Sequence, residues 1–251
     1  MNRTPMLPRN PALPSLGPIT VAISNLLLSF VEHRCFAKTV ATVDGSVKIG
    51  RTHMSDGKRK YEKKRRAEAE AQTRLRITES AVELHGTLGP AQTTMSAVAE
   101  HAGVRRSTLY RHFPDERALF GACSVHWAEQ NPPPDISRWE QVEDPEERLG
   151  QALERMYAYY RRSGGMIDRL LRDEKSVPVV AEKFAPYHQF LEIAGEILMR
   201  GRNLRGNAAK RTRAAIGHAL SFRTWQDLTE VQGLDDEGAV ALMSSLAVAV
   251  R

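Results

Sequence analysis

Apolar residues recur at helical spacing through residues 94–113. Met95, Val98, Ala99 and Ala102 line one side of a short helix, and Thr94 ahead of it has an N-cap side chain. Gly103 stands where a helix most easily ends in the left-handed conformation. Val104 restarts the apolar series, and Leu109 and Phe113, four residues apart, turn one face of a second helix inward. The same spacing puts Arg105, Arg106, Ser107 and Thr108 at the outward N-terminal end, followed by Tyr110, Arg111 and His112.

Beyond residue 114 the pattern stays helical and strand signals are nearly absent, so the expected fold class is all-α. Asp115 caps a helix reaching about Gln130, which Pro132-Pro133-Pro134 ends. A second runs from about Pro145 to Ser163, with Leu149, Leu153, Met156, Tyr157 and Tyr160 on one face and Gly164-Gly165 as its stop. A short helix over Met166–Arg172 follows, then one from about Val177 to Arg200 that Pro186 should kink or interrupt. Two last helices, about Asn207–Val231 and Asp235–Val250, flank Gly233.

The N-terminal third reads differently. Residues 1–18 hold five prolines and little periodicity, the mark of an unordered segment. Residues 19–31 are an apolar run of 13, short of the roughly 20 residues of a membrane span. Arg3 and Arg9 precede the run as in a signal peptide, but no small-x-small cleavage site follows it. Residues 1–53 are therefore expected to be an extension outside the functional unit, with a polar start beginning near Met54. The resulting domain division is 1–57 as extension, 58–114 as basic arm and helix-turn-helix domain, and 115–251 as helical domain.

Charge sharpens this division. The chain carries a net +6, of which residues 54–112 contribute +5, residues 1–53 +4 and residues 113–251 −3. Lys58, Arg59, Lys60, Lys63, Lys64, Arg65 and Arg66 place seven cations within nine residues. Such a cluster is either an arm laid on phosphates or a minor groove, or a solvated tail. Two short helices joined at a glycine, the second cationic, have the layout of a helix-turn-helix DNA reader. From the N-terminal end of such a helix Arg105, Arg106, Ser107 and Thr108 would meet base edges, arginine making paired bonds to guanine. Thr94, Tyr110, Arg111 and His112 have polar tips suited to phosphate. An ordinary helix corner would share the Ala-Gly-Val turn; the attached Thr-Leu-Tyr-Arg-His-Phe run argues against it.

Residues 77–120 resemble the N-terminal domain of the tetracycline-repressor (TetR) family of bacterial transcription regulators. The resemblance is carried by Ile77, Ala81 and Leu84, by Thr93-Thr94, and by Val98-Ala99-Glu100-His101-Ala102-Gly103-Val104. Thr108-Leu109-Tyr110-Arg111-His112-Phe113 and Pro114-Asp115-Glu116-Arg117-Ala118-Leu119 complete it. Three positions depart from the family pattern. Arg105 replaces a serine cap, worth about 1 kcal/mol. Ser107 replaces a glycine, and Glu116-Arg117 reverses a Lys-Glu pair, removing the lysine expected to touch phosphate. The operator sequence is thus not transferable from relatives.

The resemblance implies a three-helix DNA-binding domain followed by a helical bundle for ligand binding and dimerisation. In the family the closing helix pair of each subunit forms the dimer interface. Here Ala215, Ala219, Phe222 and Gln226 track one side of the first helix, and Ala239, Leu242, Met243, Leu246 and Val250 one side of the second. The implied effector pocket draws on Met156, Tyr157, Tyr160, Met166 and Leu170, and on Phe184, Tyr187, Phe190, Phe222 and Trp225. Tyrosine hydroxyls and His188 or His218 would orient a ligand there. For each of these side chains, ordinary core packing is the competing reading.

Catalytic signatures are missing. Two cysteines, Cys35 and Cys123, fit a reducing compartment and make no metal cluster or disulfide framework. No phosphate loop, nucleophile elbow or metal-ligand spacing is present. The expected protein is a cytoplasmic, nucleoid-associated regulator with no enzymatic activity, cofactor, metal or membrane association. It would bind double-stranded DNA at a palindromic operator as a homodimer, repressing until an unidentified small-molecule effector releases it. The alternative is an architectural or activating DNA-binding protein without an effector.

Overall fold

Ile77 and Ala81, both fully buried, set the register of the first helix, α1 (His53–Thr87), in a computed structural model that describes residues 53–250. The apolar run 19–31 and the rest of residues 1–52 lie outside the described residues. Every regular element among the described residues is helical. A single 3-10 turn (Pro90–Gln92) separates α1 from α2 (Met95–His101). Then come α3 (Arg106–His112) and α4 (Glu116–Gln130), the latter capped by the Asp115 carboxylate, which accepts from the Ala118 N–H at 2.7 Å. A 3-10 segment (Ile136–Gln141) leads to α5 (Pro145–Asp173) and α6 (Pro178–Met199). The chain closes with α7 (Gly206–Leu220), α8 (Phe222–Gln226), a π turn (Asp227–Val231) and α9 (Asp236–Ala249).

Two apolar centres hold the elements together. Ile77, Ala81, Val98, Leu109, Phe113, Leu119 and Cys123 join α1 to α4, so this core runs across position 114. The second is built on α5, whose Leu149, Leu153, Met156, Tyr157, Tyr160 and Ile167 are all fully buried. Cys123 is enclosed in the first core, and burial pushes its thiol up to about 12, leaving it protonated and unreactive.

Four expected features differ, each for a physical reason. The basic run is not a separate arm but the N-terminal part of α1, because Lys, Arg, Glu and Ala favour helix and no breaker separates them from Ile77. Gly164-Gly165 does not stop α5, which continues to Asp173. A side chain at Gly164 would meet the Phe222 and Trp225 rings at 3.3 Å, so the glycine makes room for α8 and the packing offsets its poor helix propensity. Pro186 does not interrupt α6, which buried Val180 and Phe184 anchor before it and Ala194, Ile197 and Leu198 after it. The helix expected over 207–231 breaks at Ser221, which is extended. There the Tyr157 hydroxyl donates to the Ala219 carbonyl at 3.0 Å and the Tyr160 hydroxyl to the Leu220 carbonyl at 2.6 Å. These two bonds satisfy carbonyls that a helix end leaves unpaired.

The residues read as a dimer stripe also divide. Ala215, Ala219 and Phe222, with Ala239 and Met243, are buried in the chain's own core. Leu242 and Leu246 are exposed, as is Val248, because positions 239, 243 and 247 take the inward face of α9.

Candidate nucleic-acid interface

The corner between α2 and α3 is built from local signals. The Thr94 hydroxyl caps α2 by accepting from the Ala97 N–H at 3.1 Å. Gly103 adopts φ 63°, left-handed, and the Val104 N–H donates back to the Ala99 carbonyl at 2.9 Å. Arg105 is the N-cap of α3 in extended conformation and makes no side-chain cap bond. The helix therefore starts on backbone bonds, with the Thr108 and Leu109 N–H groups donating to the Arg105 carbonyl at 2.9 and 3.1 Å.

Leu109 and Phe113 are fully buried, which fixes the rotation of α3. Arg105, Arg106, Ser107, Tyr110 and Arg111 consequently lie exposed on the opposite side, and Thr108 is half-buried. Thr94 is exposed too, and its hydroxyl hydrogen remains free to donate. His112 differs: it is half-buried and its Nε2 is enclosed without a hydrogen-bond partner. Burial first and the neighbouring Arg111 second lower its pKa, against an opposing pull from Glu70. A phosphate contact from His112 Nε2 therefore requires the ring to move.

Sequence reasoning overlooked Arg74 and Arg76, two residues on α1 that position this surface. Arg74 Nη1 donates to the His112 carbonyl at 2.6 Å, and its guanidinium stacks 4.1 Å from the Phe113 ring. Arg76 Nε donates to the Ala102 carbonyl at 3.0 Å. Each arginine thus closes the C-terminal end of one helix of the pair, where the helix dipole favours a cation. The available signal was an Arg-x-Arg pair just before Ile77. Arg117, which occupies the reversed pair after Phe113, bonds to Glu182 on α6 rather than standing free for phosphate.

The helix-turn-helix is tied to α5 by a small polar junction. Asp173 accepts from the Ala91 N–H at 2.9 Å and from Arg172 Nε at 2.7 Å. Arg172 Nη2 and Arg169 Nε donate to the Leu88 and Thr87 carbonyls at 2.9 and 2.8 Å. Arg172 first, and the Ala91 N–H with it, hold the Asp173 carboxyl below the usual range. Gly89 is required here: it has φ 97°, and a Cβ would lie 2.0 Å from Arg172 Nη2. His85 is buried alongside, its ring centroid 5.1 Å from that of Phe120.

The residues expected to line an effector pocket pack against one another. Tyr160 contacts the rings of Phe222 and Trp225, and Phe184 stacks on Tyr187 with centroids 4.5 Å apart. Met156 and Leu170 are buried, while Met166 and Phe190 are half-buried. The polar groups expected to greet a ligand have internal partners. Tyr157 and Tyr160 cap α7, Tyr187 lies 3.2 Å from the Tyr160 hydroxyl, His188 pairs with Glu174 at 2.8 Å, and His218 bonds Thr224.

Residues 77–123 match the family model described as bacterial regulatory proteins, tetR family. The fold is similar to that of a TetR-like transcriptional regulator from Rhodococcus sp. RHA1, at 18% identity over 70% of this chain and 93% of that one, with a TM-score of 0.53. It is likewise similar to a protein from Mesorhizobium loti MAFF303099 described as a TetR-family transcriptional regulator. That likeness has 16% identity over 72% of this chain and 96% of the other, with a TM-score of 0.50. No curated protein matches the chain.

Proposed function

We propose that this chain, whose residues 77–123 match the family model of bacterial regulatory proteins of the tetR family, is a DNA-binding repressor of that kind acting as a homodimer. It holds a palindromic operator and leaves it when a small molecule enters the helical bundle. The observation that carries this reading is the rotation of α3: with Leu109 and Phe113 fully buried, Arg105, Arg106 and Ser107 stand exposed together. Those three and Thr108 read base edges, while Thr94, Tyr110, Arg111 and a reoriented His112 hold phosphates. Residues 58–114 act as the reading domain and 115–251 as the effector and dimer domain. Its place of work is the nucleoid in the cytoplasm; no helix among the described residues is long and apolar enough to cross a membrane.

Exposed Leu242 and Leu246, one turn apart on α9, support a dimer, since side chains of this size gain from burial against a second copy. Effector control is supported by the path of α5. This one helix carries Met156, Tyr157 and Tyr160 in its middle and Asp173 at its end, so a ligand that displaces the aromatic block also shifts the junction with Ala91. The engagement of both tyrosine hydroxyls in capping α7 favours the second reading, an architectural or activating protein without an effector.

Selection of bound fragments from random duplex DNA tests the proposal. A palindromic consensus is expected, bound by a species of dimer mass in sedimentation. A consensus without twofold symmetry, or a monomer on the DNA, contradicts it. A ligand-independent melting temperature across an effector library decides for the second reading.

A further inference from the structure

We propose that the exposed stretch of α1 from Gly57 to Gln72 is a second DNA-binding element, a cationic helical rod lying along phosphates beyond the stretch that α3 occupies. The proposal rests on the DNA-binding reading above and extends it to a surface outside the helix-turn-helix. Its first support is position. Arg74 donates to the His112 carbonyl at 2.6 Å, so α1 passes the C-terminal end of α3 at that residue. From there α1 continues N-terminally as unbroken helix, and every residue from Gly57 to Gln72 is exposed. The sixteen steps from Arg74 back to Lys58 span about 24 Å at 1.5 Å per residue. That length matches about seven base pairs at 3.4 Å each. Laid along the duplex axis, a rod starting at the edge of α3 would reach about two-thirds of a turn farther.

The second support is charge. Residues 57–73 carry seven cations against Glu62, Glu68 and Glu70, a net +4. Among the described residues, Lys64 with Glu68 at 3.8 Å is the ion pair this run makes. At 100° per residue the seven cations fall on every side of the helix, not on one stripe. Tyr61 is the one large apolar side chain in the run and it is exposed. Without an apolar face the rod has nothing to lay in a protein groove or a bilayer interface, both of which need one. A polyanion needs none: each cation set on a phosphate releases a condensed counterion.

The test compares the full-length chain with two variants on its selected operator and on random duplex, across a salt series. One variant carries Lys63→Gln, Lys64→Gln, Arg65→Gln and Arg66→Gln; the other carries Glu62→Lys, Glu68→Lys and Glu70→Lys. Neutralisation is expected to flatten the slope of log affinity against log salt by about 0.9 for each cation on a phosphate, so by up to about four. Affinity at low salt should fall tenfold or more by the same factor on both duplexes, with the consensus unchanged. Hydroxyl-radical protection of the flanking phosphates should disappear. Added lysines should steepen the slope, which keeps the test decisive if neutralisation also frays the helix. An unchanged slope and unchanged flanking protection in both variants overturn the rod while leaving the reader intact. Failure of the parent chain to bind any duplex overturns the reader as well, so the two failures are distinguishable.

Discussion

Replacing Arg148 with methionine is expected to destabilise the fold by about 3–5 kcal/mol, since each buried carbonyl left unpaired costs about 1–3 kcal/mol. Arg148 is buried at the start of α5 and its guanidinium makes five hydrogen bonds, all to backbone carbonyls. Nε and Nη2 donate to Val142 at 2.8 and 2.6 Å, Nη2 to Glu143 at 3.1 Å, and Nη1 to Ile197 and Arg200 at 3.1 and 2.8 Å. One side chain thereby joins the segment before α5 to the C-terminal end of α6. Burial lowers its pKa, and the nearby Arg202 and Arg200 add to the effect. Methionine fills similar volume but takes the guanidinium from four carbonyls, of which Ile197 keeps the Arg200 N–H at 3.2 Å. Lysine should not rescue the fold, because a single ammonium on a flexible stem cannot reproduce the planar fork. Urea denaturation reads the result; a loss under 1 kcal/mol would mean that water replaces the guanidinium at little cost.

The second large effect is an acid sensitivity at the junction between reader and bundle. Burial lowers the His85 pKa from the ordinary 6.5 to about 4, against a smaller opposing pull from Asp173. The native state thus binds a proton less readily than the unfolded chain. Its stability is full above pH 6.5 and falls as pH drops from there toward about 4. The linkage is worth about 3 kcal/mol over that window. Asp173, whose carboxyl is held low chiefly by Arg172, adds a loss of the same sign at the acid end. Denaturant midpoints measured at successive pH values should fall through this window in the parent chain. In His85→Phe the fall between pH 6.5 and 5 should be nearly absent. An equally steep fall in that variant would assign the effect to carboxylates alone.

The parts legible in the sequence were those whose signals are local. The Thr94 cap, the left-handed Gly103 and the four-residue spacing of Leu109 and Phe113 are local signals, and the α2–α3 corner was legible from them. The departure at Arg105 was legible too, since α3 begins without a side-chain cap. What escaped depends on partners distant in the chain. Gly164 reads as a stop until Phe222 and Trp225 are seen to need its space. Ser221 reads as mid-helix until Tyr157 and Tyr160 take the carbonyls of Ala219 and Leu220. Arg74 and Arg76 look like solvated cations until the ends of α3 and α2 are placed beside them. Periodicity could not divide α9 into Ala239 and Met243 facing in and Leu242 and Leu246 facing out, because all four fit one apolar arc. The aromatic block was visible as a set of residues. Its hydrogen bonds, which decide how much is left for a ligand, were not.

The account's central claim is that α3 presents Arg105 and Arg106 to a duplex. Binding of Arg106→Ala to the selected operator and to random DNA, side by side at low ionic strength, tests it most directly. The predicted result is a loss of about 1–3 kcal/mol on the operator, roughly 5- to 150-fold, with relaxed preference at one base pair and far less change on random DNA. Equal weakening on both duplexes would make Arg106 a phosphate contact, and unchanged affinity on both would contradict the claim.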